Sequence, residues 1–224
     1  EVKALQPTAE GYLYCMDHML AGSEDSRFEG HNLIFQDEIF NNAINRMKRM
    51  YNSAISENAE YSYRDETHLF NEGKLAIYIN GVWGAPMISK QIDAKYALLP
   101  TDGGESMSCI SSGLGYVLGN SGNEEKEKAA VKFLKYMLSK KVQTKILEKT
   151  EQIPANPDIS LESYKESKSR LYQAATLVLE TDEKIEVPNN IWSAEQKDYF
   201  IKTIFDVLTG TLSIQEFEEG LENK

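Results

Sequence analysis

Phe70-Asn71-Glu72-Gly73-Lys74-Leu75-Ala76-Ile77-Tyr78-Ile79-Asn80-Gly81-Val82-Trp83 reads as one unit: helix end, turn, strand, loop and exposed aromatic. Phe70 closes an amphipathic helix, and Gly73 supplies the left-handed residue that ends it. Leu75, Ile77 and Ile79 then alternate with Ala76, Tyr78 and Asn80, the period-two pattern of a strand. Asn80-Gly81 stops that strand in a turn. Trp83 is left just past a strand end, where α/β proteins open their ligand crevices.

Outward from this stretch the chain is mainly helical. Pro7 to Gly22 carries Tyr12, Leu13, Met16, Met19 and Leu20 in an apolar stripe, and Phe35 to Tyr51 carries Ile39, Phe40, Ala43, Ile44, Met47, Met50 and Tyr51. Gly22 to Ser26 is a loop between them. After Trp83, Lys95 to Leu99 forms a second short strand stopped by Pro100, and Thr101-Asp102-Gly103-Gly104 is a loop. Ser111-Ser112-Gly113-Leu114-Gly115 gives a glycine-rich entry to a third strand over Tyr116 to Leu118. The two glycines there serve either close backbone approach or tight packing. Ser121-Gly122-Asn123-Glu124 has capping-box spacing before a helix with Ala130, Phe133, Leu134, Met137 and Leu138 on one face. Near the end, Phe200, Ile204, Val207 and Leu208 form a stripe, Gly210 ends it, and Ser213-Ile214-Gln215-Glu216 caps a last helix bearing Phe217 and Leu221.

Composition narrows the function classes. With 224 residues, 41% hydrophobic and 10% aromatic, the chain builds a sizeable core. Its 35 acidic against 24 basic residues give a net charge of -11, so no basic face neutralises phosphates and nucleic-acid binding is excluded. Runs such as Leu75 to Ile79 and Ala175 to Leu179 are too short to span a bilayer. The chain starts at Glu1 without a signal-peptide pattern and reads as a mature or truncated chain. The only two cysteines, Cys15 and Cys109, make either one disulfide or two buried thiols, the latter the plainer reading. No metal-ligand spacing surrounds His18, His31 or His68, so neither a metal nor another cofactor is expected.

In order and spacing these motifs resemble the extracellular solute-binding proteins of ABC sugar importers, the maltose-binding-protein-like family. There, a helix ending Phe-x-x-Gly-Lys leads to an apolar strand and Gly-x-Trp, as in Phe70 to Trp83. A Leu-Pro with a glycine-containing loop follows, then a small-residue segment, then Asn-x-Glu-x-x-x-Ala-x-x-Phe-Leu, here Asn120 onward. An Ile-Pro-Ala turn matches Ile153-Pro154-Ala155, and the last two helices share the Leu-x-Gly-x-x-Ser-x-x-Glu spacing. The resemblance runs from about Phe35 to Leu221. It implies an α/β fold: a mostly helical lobe of a periplasmic-binding-protein-like (type II) fold with a small mixed sheet.

Family members are longer, and residues 1–224 correspond to their C-terminal lobe region. Residues 117–166 there pack on an N-terminal lobe. In this chain that segment is expected either to pack on the remaining lobe in an altered position or to self-associate with a second copy, because Phe133, Met137 and Leu138 make a sticky patch in water.

The function implied is binding a sugar or oligosaccharide in an interlobe cleft and delivering it to ABC permease transmembrane subunits, from an extracellular, periplasmic or lipid-anchored position. A sugar has a C–H face that stacks on an aromatic ring and a rim of hydroxyls that needs hydrogen-bonding groups. Trp83 suits the face; Asn80, Ser111, Ser112 and Gly113 suit the rim. Tyr12 and Trp192 are carried over from cleft aromatics of the family, with core packing as the alternative for Trp192. A sensor or protein-interaction module on the same lobe is the rival class, separated by genetic neighbourhood: permease genes against a transmembrane kinase.

Enzyme readings are set aside. Carboxylates are too numerous for any pair to signify a glycosidase, and Gly-x-Ser-x-Gly, a phosphate-binding loop and His-Glu-x-x-His are all missing from the sequence. Cys15, Asp17 and His18 do not converge on one helix face.

Overall fold

Thr8 opens the first helix, α1 (Ala9–Ala21), by a side-chain cap: its Oγ1 accepts a hydrogen bond from Gly11 N at 3.1 Å. The computed structural model describes residues 2, 4–5, 7–21, 38–54, 62–100, 107–110 and 115–224. These divide into two compact units: Glu1–Asn80, Met87–Ser111 and Glu180–Lys224 form the first, Gly81–Pro86 and Ser112–Leu179 the second.

The first unit is built on helical stripes that find partners. From α1 come Tyr12, Met16 and Leu20; from α2 (Glu38–Ala54) come Phe40, Ile44 and Met47. All are buried. Each set recurs at three- and four-residue steps, which puts it on one helix face. The expected stripes near the end of the chain are also buried and lie on its last two helices, which are named below. Phe217 stacks on Phe40 at 6.3 Å and tilts against Phe200 at 5.6 Å. Trp192 lies 5.7 Å from Phe200.

A third helix of this unit, α3 (Tyr63–Asn71), starts in a capping box between Ser62 and Asp65. It ends as its sequence requires: Gly73 has φ +70°, and Gly73 N and Lys74 N donate back to Phe70 O and Leu69 O, both at 2.9 Å.

The small sheet exists, but its described strands are not those expected. β1 (Met107–Ile110) and β2 (Glu183–Glu186) pair in parallel, Met107 opposite Glu183 and Ile110 opposite Glu186. Residues 75–79, 96–99 and 116–118 are not strands; Leu75 and Pro100 make only isolated bridges. Apolar alternation marks which side chains seek cover, whereas a strand also needs a neighbour whose N–H and C=O groups match in register. Among the described residues, Ile77 N donates one ladder-like bond, to Ala4 O at 2.8 Å. Burial follows a longer period than two: Leu75 and Ile79 are covered while Ile77 is exposed.

The second unit holds α4 (Glu124–Met137), α5 (Lys140–Thr150) and most of α6 (Ser169–Glu180). Asn123, not Ser121, caps α4 by accepting from Lys126 N at 3.1 Å, while Ser121 donates to Glu127. Gln143 ties the unit together. Its Nε2 donates to Met137 O at 3.0 Å and its Oε1 accepts from Ala155 N at 2.9 Å. Val142, Leu147, Leu171, Ala174 and Ala175 are buried. No residue of α4 is buried, and Phe133 and Val117 are 55% and 93% exposed. Among the described residues none covers Val117, Phe133 or Leu138, whereas Val142 and Leu147 of the same stretch are buried. At Gly115 an added Cβ would meet nothing within 4 Å among the described residues.

The last two helices, α7 (Ala194–Thr209) and α8 (Ile214–Glu222), return to the first unit. Both begin in capping boxes, Ser193 with Gln196 and Ser213 with Glu216, and Gly210 at φ +83° ends α7. Phe200, Ile204, Val207 and Leu208 of α7 and Phe217 and Leu221 of α8 are the buried stripes. Among the described residues no helix is long and apolar enough to cross a membrane.

Candidate functional site

Asn80 is the centre of a hydrogen-bonded cluster in the first unit. Its Nδ2 donates to Tyr63 Oη at 2.8 Å and to Tyr78 Oη. Thr67 Oγ1 donates to Tyr63 O one turn back, at 2.8 Å. A hydroxyl has a single proton, so at the 2.8 Å contact between Thr67 Oγ1 and Tyr78 Oη the phenol must be the donor. Tyr78 then has only lone pairs to offer Asn80, and this fixes the amide with its nitrogen toward both phenols. Tyr63 Oη passes its own proton to Met87 Sδ at 3.4 Å.

Local sequence explains how these groups meet. Tyr63 and Thr67 are four residues apart on α3, hence on one face. Tyr78 and Asn80 are two apart in the irregular segment after α3, and the Asn80 amide reaches the Tyr78 phenol directly. The Tyr78 ring stacks on Phe70 at 5.4 Å. Asn71 secures the returning chain: its Nδ2 donates to Met87 O at 2.9 Å and its Oδ1 accepts from Ser89 N at 2.7 Å.

Buried acids lie under the same unit. Glu66 accepts from the N–H and hydroxyl of Thr8, yet burial pushes its carboxyl up to about 8, with Glu10 adding to the rise. Burial, then Tyr63 and Glu10, raise the Tyr14 phenol. Asp17 Oδ1 accepts from Asn189 N at 2.8 Å and its Oδ2 from Asn189 Nδ2, and burial outweighs these bonds to lift it to about 7. His18 Nδ1 is 3.8 Å from Cys109 Sγ. Burial lowers the histidine and pushes the Cys109 thiol up to about 12, so neither is primed for nucleophilic chemistry. Cys15 and Cys109 are both free thiols.

Trp83 belongs to the second unit, in the 3-10 turn Val82–Met87, and is 52% exposed. It follows an irregular segment, not a strand end. Its indole lies over the preceding glycine: a Cβ on Gly81 would come within 2.2 Å of Trp83 Cη2 and Cζ3. The glycine of Gly-x-Trp is therefore a seat for the ring.

The other expected site residues have different surroundings. Tyr12 is 0% exposed, edge-on to Phe205 at 5.9 Å, with burial raising its phenol. Trp192 is buried against Phe200. Ser111, Ser112 and Gly113 lie outside the described residues. Tyr63, Thr67, Tyr78 and Met87 were not anticipated. The spacing of Tyr78 with Asn80 carried a signal for one of them, but pairing across helix and segment carried none.

The pattern of one protein family, bacterial extracellular solute-binding proteins, runs through residues 9–175. The chain belongs to that family. Members are binding proteins and not enzymes, and they are extracellular. No curated protein matches the chain. Solved structures give it the fold of sugar-binding relatives. It is similar to a Streptococcus pneumoniae solute-binding protein in complex with the blood group A-trisaccharide, at TM-score 0.81 and 23% identity, covering 99% of this chain and 58% of that one. It is also similar to the maltose/maltodextrin-binding domain MalE from Bdellovibrio bacteriovorus bound to maltotriose, at 0.72 and 19%, with 99% and 58% covered. A chitin oligosaccharide binding protein follows at 0.71 and 18%, with 98% and 59% covered. The chain thus spans less than two thirds of the length of these relatives.

Proposed function

We propose that this solute-binding chain is part of the carbohydrate-binding component of an ABC importer, taking up a sugar or oligosaccharide in an interlobe cleft and delivering it to permease transmembrane subunits. The observation that carries the reading is family membership combined with solved relatives described with bound trisaccharides. In the second unit the half-exposed indole of Trp83 is of the kind that stacks on the C–H face of a sugar, and in the first unit the amide and phenols around Asn80 are of the kind that meet sugar hydroxyls. Tyr12, with no exposed surface, is a core residue in this reading, and buried Trp192 goes with it.

Residues 1–224 act as a C-terminal lobe region, in which 117–166 pack on a partner lobe. The exposed side chains of Val117, Phe133 and Leu138 support that assignment. Calorimetric titration of the whole encoded protein with maltotriose, blood group A trisaccharide and chitotriose tests the function. Saturable binding of at least one is expected, with a raised melting temperature. Failure of all three, with binding of amino acids or peptides instead, would overturn it.

A further inference from the structure

Within the Asn80 cluster the protons are unequally held. Both amide protons of Asn80 go to phenol oxygens, the Tyr78 proton goes to Thr67, and the Thr67 proton goes to a backbone carbonyl. Each of those acceptors is oxygen. The Tyr63 proton alone goes to sulfur, a weak acceptor, at 3.4 Å. The sulfur belongs to Met87, whose side chain is 40% exposed and whose backbone carbonyl is tied by Asn71. An unbranched thioether on a fixed backbone can swing away at small cost. The Tyr63 oxygen meanwhile stays aimed by the amide of Asn80.

We propose that Tyr63 is the sugar-binding hydroxyl of this cluster, giving up Met87 Sδ to donate its proton to a hydroxyl or ring oxygen of the bound carbohydrate, and that Asn80 is a positioning residue which orients Tyr63 and Tyr78. This rests on the carbohydrate reading above. It refines that reading in one respect: the amide of Asn80 spends its donors on the protein, and the phenol meets the ligand. Met87 sets how freely the phenol can do so. The ligand class that satisfies the geometry is a polyol presenting an oxygen acceptor, since a purely apolar solute offers nothing better than the sulfur.

The test is calorimetric titration of the whole encoded protein and its Tyr63→Phe and Met87→Leu variants with the same three oligosaccharides, alongside melting temperatures. Tyr63→Phe keeps the ring and removes the donor; it is expected to weaken binding roughly 5- to 10-fold, the scale of one neutral hydrogen bond, with the melting temperature nearly unchanged. Met87→Leu keeps the volume and removes the competing acceptor; its affinity is expected to equal or exceed that of the parent. If Tyr63→Phe binds as well as the parent, the inference fails and the carbohydrate reading survives. If none of the oligosaccharides binds the parent, both fail together. Should Tyr63→Phe be poorly folded, Met87→Leu decides: retained or tighter binding supports the proposal, and weakened binding overturns it by making Met87 itself the contact.

Discussion

Helices α7 and α4 carry the same sequence signature and end in opposite environments. In α7, Phe200, Ile204, Val207 and Leu208 recur at helical spacing and all are buried. In α4, Ala130, Phe133, Leu134 and Met137 recur in the same way, continued by Leu138, and none is buried. An apolar stripe encodes a demand for cover. It does not encode which element answers that demand, nor whether the element lies in the same unit. Substitution separates the two cases most sharply. Phe200→Ala should lower unfolding free energy by about 3–5 kcal/mol, read by urea denaturation, because it opens a cavity among Trp192, Phe217 and their neighbours. Phe133→Ala in the same 224-residue chain should change it by less than about 0.5 kcal/mol. A loss of several kcal/mol from Phe133→Ala would instead mean that the exposed face of α4 is packed in solution.

Charge divides the units as apolar burial does. The acidic first turn of α4 is largely solvated, whereas Asp17 and Glu66 are buried in the first unit. Burial raises both carboxyls in the folded state, to about 7 and about 8, above their ordinary 3.8 and 4.5. The folded chain therefore holds protons that the unfolded chain has released. The resulting stability is complete below the ordinary values and is lost as pH rises through about 7 and 8, each pH unit in the window removing up to about 1.4 kcal/mol per group. Chemical denaturation at pH 5 and pH 8.5 should show the higher stability at pH 5. Glu66→Gln should flatten the upper part of that slope. A stability that rises with pH would mean that the bonds from Thr8 and Asn189 outweigh burial.

What the sequence disclosed follows the same division. Local signals were legible because their causes are local: the left-handed Gly73 and Gly210, the Ser213 and Glu216 capping box, and the Tyr12 to Leu20 stripe each depend on a few neighbouring residues. The strands were misplaced because Leu75 to Ile79 has the alternation but no partner ladder among the described residues, while Glu183 to Glu186 is polar and pairs because β1 lies beside it. The candidate site residues were half visible. Asn80 was anticipated as a ligand contact, but its ties to Tyr63 and Tyr78 arise where helix and irregular segment meet, and such meetings leave no spacing in a single chain. Tyr12 and Trp192 are buried in the first unit, which the sequence does not display for a related reason: an aromatic at a family position looks the same whether its ring faces ligand or core.

Trp83 is the counterpart of Trp192, an indole exposed rather than packed. In the whole encoded protein, Trp83→Ala should weaken oligosaccharide binding by about 1–3 kcal/mol, the scale of a buried aromatic contact, and leave the melting temperature nearly unchanged. Trp192→Phe should do the reverse, lowering the melting temperature with affinity largely kept. A sharp fall in melting temperature from Trp83→Ala with affinity intact would make Trp83 a structural residue.

A smaller effect on binding than that of Trp83→Ala is expected at Gly81, and it bears most directly on how Trp83 is held. A methyl group there would sit within 2.2 Å of the indole ring carbons Cη2 and Cζ3, closer than any carbon pair tolerates, so the ring must swing off its seat. The obstructing atoms are the far end of a side chain, not backbone, and the cost of leaving a preferred rotamer is only about 0.5–1.5 kcal/mol. Gly81→Ala should therefore leave folding intact, shift the tryptophan fluorescence, and weaken sugar binding by less than Trp83→Ala does. The double variant settles the cause: if Gly81 acts by seating the ring, adding Gly81→Ala to Trp83→Ala changes affinity no further, because the group it would displace is gone. Additive losses would instead mean that Gly81 contributes through its own backbone, by letting the chain approach the ligand closely, and that the indole finds its position without it.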